Sequence, residues 1–113
     1  MIYVSNLLSY SMLRKSLVKG NIIVIGEEYN IDHLNTLNSD SYKVCFHNPC
    51  LHRTLIKRGY ISSEVENMET FHLQPGDTLL AIKPSERVDP YKNELELPEN
   101  ITFKLEEYNC KKR

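Results

Sequence analysis

A histidine stands directly before a helix start at Phe46-His47-Asn48-Pro49. Asparagine is a strong N-cap, and proline is favoured at the first helical position. The helix is predicted to run through Cys50, Leu51, Thr54, Leu55 and Ile56 and to close at Lys57-Arg58-Gly59. A helix N-terminus offers unpaired N–H groups and partial positive charge, which attract phosphate. A histidine, with an unperturbed pKa of roughly 6.5, exchanges a proton near neutrality. His47 and the Asn48 cap therefore carry the equipment for phosphodiester cleavage: donors for the charged oxygens and an acid for the leaving oxygen. The plainer reading of His47 is a surface histidine that caps a turn.

Other chemistry-bearing residues flank this junction. Asn6, Ser9 and Ser11 follow the first predicted strand, where loops of α/β sheets gather ligands. The plainer role of Ser9 is N-capping. Arg87 and Asp89 lie in the polar stretch Ser85-Glu86-Arg87-Val88-Asp89-Pro90. Arginine suits bidentate phosphate recognition, although a lone loop arginine is usually solvated. Arg53, Lys57 and Arg58 read as the wet face and last turn of the helix. Tyr3, Tyr10 and Tyr29 read as packing residues before they read as base stackers. Cys45, His47, Cys50 and His52 have metal-like spacing. However, Cys50 and His52 lie roughly 200° apart around a helix, so one tetrahedral zinc is not expected. No metal or cofactor is expected.

These residues need a frame. Ile2 to Ser5 reads as a buried strand, and Ser9 opens a helix to about Leu17 that ends at Lys19-Gly20. Ile22 to Ile25 is a continuous β-branched run and carries the strongest central-strand signal. Ile31, Leu34 and Leu37 suggest a short helix. Tyr42 to Phe46, Glu69 to Leu73, Thr78 to Ile82 and Ile101 to Tyr108 read as further strands. The Pro75-Gly76-Asp77 turn would make a hairpin of the middle pair. The predicted fold is one α/β domain over residues 1–108: a mixed, mostly parallel sheet of about five to six strands, flanked by helices. A basic tail over 109–113 is expected to fray.

Bulk properties bound the function. The chain has 113 residues, 41% hydrophobic and 26% charged, which fits one domain with a real core. A net charge of −1 gives no basic field, so long nucleic acid is not an expected partner. No apolar run reaches the roughly 20 residues that span a bilayer. Three cysteines and no signal-peptide pattern fit a cytoplasmic protein with free thiols.

Three stretches together resemble the viral ring-nuclease family, the type III anti-CRISPR proteins. The first is Tyr3-Val4-Ser5-Asn6-Leu7-Leu8-Ser9-Tyr10-Ser11-Met12-Leu13, similar to the family's N-terminal strand and turn. The second is Phe46-His47, opening a helix that closes on Gly59. The third is Leu73-Gln74-Pro75-Gly76-Asp77-Thr78-Leu79-Leu80, with Arg87 where the family has an arginine. The resemblance implies a homodimer that binds cyclic tetra-adenylate in a two-fold site. It implies metal-free cleavage, in which the ribose 2′-hydroxyl attacks the adjacent phosphate. His47 would be the general acid. Asn6, Ser9 and Ser11 would hold ligand, and Arg87 would contact phosphate. Pro49 and Cys50 stand where the family has Ser-Thr. Pro90 stands where it has glutamate, and Asp89 beside it is the available substitute.

The sequence thus supports an immune antagonist in the host cytoplasm that binds and cleaves a cyclic oligonucleotide. The alternatives are a sponge that only sequesters the ring, and a protein-interaction module of a mobile element.

Overall fold

The computed structural model describes residues 1–6, 20–86 and 97–113. The predicted helix from Ser9 to Leu17, with Ser9 and Ser11, lies outside the described residues. So do Arg87 and Asp89.

Five strands form one mixed sheet: β1 (Ile2–Asn6), β2 (Asn21–Asn30), β3 (Tyr42–Cys45), β4 (Thr78–Pro84) and β5 (Phe103–Lys112). Their order is β2-β5-β4-β1-β3. β1 pairs in parallel with both β3 and β4, while β5 pairs antiparallel with β4 and β2. The expected α/β sheet is present, but it is half parallel rather than mostly so. Helix α1 (Pro49–Lys57) makes the β3-to-β4 crossover. The short helix expected around Ile31 is a 3-10 turn over Ile31–Thr36.

Two other expectations are corrected. Ile22–Ile25 lies on the sheet edge, not at its centre, because among the described residues β5 is the one strand that flanks β2. A β-branched run reports burial on two faces, yet Ile25 is 74% exposed. Residues 69–73 form no strand of the sheet. The Asp77 carboxylate accepts the Gln74 N–H at 2.8 Å and closes the Pro75-Gly76 turn locally. The chain before it instead packs across the sheet, with Phe71 stacked on Tyr3 at 5.2 Å between ring centres. At the basic end β5 continues through Lys112, paired with Asn21.

Two cores sandwich the sheet. On one face α1 sets Cys50, Leu51 and Leu55 against Val4, Val44, Leu80, Ile82, Phe103 and Leu105. On the other, Phe71 and Leu73 cover Cys45, Leu79 and Cys110. Helix α1 begins and ends as its sequence dictates. Asn48 Oδ1 accepts the Leu51 N–H at 3.0 Å, and Pro49 is the first helical residue. Gly59, at φ +80°, ends the helix as Tyr60 N–H reaches back to the Leu55 carbonyl at 3.0 Å.

Asn48 is 2% exposed, so removing its carboxamide strands a buried amide. Asn48→Ala should cost about 1–2 kcal/mol of stability in urea unfolding, and Asn48→Asp much less. Equal losses would show that the cap contributes no more than its volume.

Candidate functional site at the strand carboxyl ends

The parallel strands β4, β1 and β3 all point their carboxyl ends the same way. Ser5 lies beside Cys45 and Asn6 beside Ile82, so Asn6 and the Phe46-His47 turn reach the same end of the sheet. The fully buried Ser5 hydroxyl donates to the Cys45 carbonyl at 2.6 Å. Its proton is therefore committed, although Asn6 Oδ1 lies 3.5 Å away. Asn6 is half-buried at the sheet's end.

His47 is exposed, and its Nε2 lies 3.8 Å from the Cys45 thiol. The ring thus turns to the face that carries Phe71 and Leu73. Alternation along β1 carries Asn6 to the α1 face, where Val4 already packs. The two residues meet at one end of the sheet but from opposite faces. A ligand that touches both must straddle that end.

Asn67 holds the junction. Its Oδ1 accepts the Phe46 N–H at 2.7 Å, and its Nδ2 donates to the Phe46 carbonyl at 3.0 Å. The Met68 N–H donates to the Val44 carbonyl at 2.8 Å, so residues 67 and 68 continue the sheet beyond β3. No local pattern marks Asn67, because its partner is 21 residues away.

The first turn of α1 offers fewer donors than its sequence suggested. Pro49 has no N–H, Leu51 is capped by Asn48, and His52 N–H bonds the Asn48 carbonyl. Among the described residues, the Cys50 N–H is the first-turn donor left over. Asn48, named from sequence as a ligand contact, is buried, and its side chain caps α1. Cations compensate. A groove of about 640 Å³ is lined by Cys50, Arg53, Thr54, Lys57 and Arg58 of the α1 region and by Leu97 and Glu99. Arg58 builds the groove's floor by donating to the carbonyls of Ile101 at 2.6 Å and Glu99 at 3.1 Å. The sequence marked these cations as a wet helix face, because the 97–101 segment that walls them in is distant in the chain.

Among the described residues, no three His, Cys, Asp or Glu side chains are placed to share a metal ion. Cys50 is buried. His52 stacks on Phe46 at 5.2 Å, and its Nε2 is buried without a hydrogen-bond partner. Burial also pushes the Cys45 thiol pKa up, which disfavours the thiolate. No helix among the described residues is long and apolar enough to cross a membrane. Compared with known protein families and with curated proteins, the chain matches none.

Burial lowers the His52 pKa, so the folded state favours the neutral ring. The unfolded chain then binds more protons as pH falls below roughly 6.5. His52 should add stability above that pH and lose it progressively on acidification. His52→Phe should flatten the slope of stability against pH between about 6.5 and 5, as read from urea midpoints. An unchanged slope would assign the acid sensitivity to other groups.

Proposed function

We propose that this chain binds a cyclic oligoadenylate-like second messenger and cleaves it without metal, as a viral or phage antagonist in the host cytoplasm. The observation that carries this reading is the cationic groove along α1, lined by Arg53, Lys57 and Arg58. It lies on one face of the sheet while His47, just before the same helix, turns to the other, so the ring would have to straddle the sheet's end. A polyanion laid along α1 would meet Arg53 and Lys57, and its end would reach the Cys50 N–H. Asn6 supplies a carboxamide at the same end of the sheet. Arg87 and Asp89 follow shortly after β4, whose carboxyl end lies on this side. The overall charge of −1 favours a small anion held by local donors over long nucleic acid.

In the proposed reaction a ribose 2′-hydroxyl gives its proton to water and attacks the adjacent phosphorus, the bond to the 5′-oxygen breaks, and a 2′,3′-cyclic phosphate is left. His47, exposed at the end of β3, gives a proton to that leaving oxygen as general acid. Arg87 is assigned to phosphate, Asp89 to orienting the attack, and Ser9 and Ser11 to the ring. The protein acts as a homodimer.

The sponge reading has its own support. Among the described residues, Pro49 and the Asn48 cap leave the Cys50 N–H as the first-turn donor without a partner, which favours holding a phosphate over stabilising developing charge.

Incubation with cyclic oligoadenylates in chelator, followed by mass spectrometry before and after denaturation, separates these readings. Wild type should yield linear products, and His47→Ala should slow their formation by about 10²–10⁴-fold. Rings recovered intact after denaturation would establish a sponge. Rings never depleted would contradict both.

A further inference from the structure

The edge strand β2 combines an open backbone with exposed apolar side chains. Ile22 is 40% exposed, Val24 39% and Ile25 74%. Its hydrogen-bonding direction follows from β5. Arg113 N–H donates to the Gly20 carbonyl, while Cys110 exchanges bonds with Gly76 and Asp77 on the far side of β5. In an antiparallel ladder these directions alternate. Gly20, Ile22 and Val24 therefore bond inward to β5. Asn21, Ile23 and Ile25 point their N–H and C=O groups outward, with no strand beside them among the described residues.

The open run has a defined end. The register of β2 against β5 slips between Ile25 and Glu28, a bulge at Gly26-Glu27. Glu107 fixes it: its carboxylate takes the Tyr29 hydroxyl and the Asn109 amide, each at 2.9 Å. A Cβ on Gly26 would collide with that carboxylate. Regular pairing is thus limited to Asn21–Ile25, and this segment is centred on Ile23.

We propose that β2 pairs with β2 of a second copy, antiparallel, with the two-fold axis at Ile23. This register sets Ile23 against itself and Asn21 against Ile25 of the partner subunit. All three outward residues then find hydrogen-bond partners. Ile22 and Val24 fall in the close non-hydrogen-bonded positions and pack across the axis. Charge selects a copy of the same strand as the occupant. Beyond Ile25 lie Glu27 and Glu28, the latter also paired with Lys104 at 3.3 Å. One strand inward, β5 sets Lys111 beside Ile22 and Lys112 beside Asn21, and Arg113 follows beside Gly20. Antiparallel pairing lays the acidic end of one copy toward the basic end of the other. An isologous contact satisfies both ends at once.

The interface has a consequence for the site. β3 is four strand spacings from β2 in each copy, and one more crosses the axis. Nine spacings of ~4.8 Å put the two His47 residues about 43 Å apart. One small ring therefore does not reach both His47 residues across this axis, and the two-fold site that the resemblance implies is not formed by this contact. The interface itself does not depend on the identity of the ligand.

Sedimentation equilibrium of the full chain tests it. Wild type should be a dimer at ~10 µM. Ile25→Pro removes an outward N–H while sparing every bond to β5, and should raise the dissociation constant at least tenfold. Val24→Lys, which keeps the backbone intact, should do the same and covers the case in which the proline variant does not fold. Circular dichroism confirms that each variant measured is folded. A monomeric wild type, or a dimer that the folded variants leave unchanged, overturns the proposal.

Discussion

The side-chain amide of Asn67 completes both hydrogen bonds of Phe46, and the site depends on that clamp. At Phe46 the chain must leave a parallel strand and enter a helix within three residues. A strand end on an outer strand has no neighbour to bond its peptide groups, and a buried orphan costs about 1–3 kcal/mol. Asn67 replaces the missing neighbour at 2.7 and 3.0 Å. With Phe46 fixed, Asn48 can turn inward as the cap of α1, and His47 between them is forced outward. The exposure of His47 thus follows from backbone accounting on either side of it.

The same clamp aligns the cations. α1 starts at a defined point and rotation, so Leu51 and Leu55 face the sheet while Arg53 and Lys57 face away. Arg58 then binds the carbonyls of 99 and 101 and lies over Phe103, with 5.4 Å between guanidinium and ring centre. That arginine ties the helix to the start of β5 and converts a helix face into one wall of a groove. Lone cations on an open helix would be solvated and would bind little. Two or three on a walled groove provide a directional field for an anion.

Local signals were legible where local chemistry decides the structure. Asn48-Pro49 and Gly59 marked the ends of α1, and the alternation from Ile101 marked β5. What the sequence hid was long-range. Ile22–Ile25 looks central because its composition matches a strand buried on both faces, yet the topology leaves it at an edge. Glu69–Leu73 has strand-like residues, but Phe71 and Leu73 are needed as a lid over Cys45 and Cys110. Of the candidate site, His47 and Asn6 were legible from their places after strands. Asn67 and the grooved role of Arg58 were not, because each acts on backbone at least 21 residues away.

A ligand site at the carboxyl ends of β1 and β3 is the central claim, and amide chemical shifts test it residue by residue. ¹⁵N-labelled protein titrated with cyclic tetra-adenylate at low temperature in chelator should shift Asn6, Phe46, His47 and Cys50 most, followed by Arg53 and Lys57 along α1. Shifts confined to β2 and the Pro75–Asp77 turn, or none at millimolar ring, would contradict it.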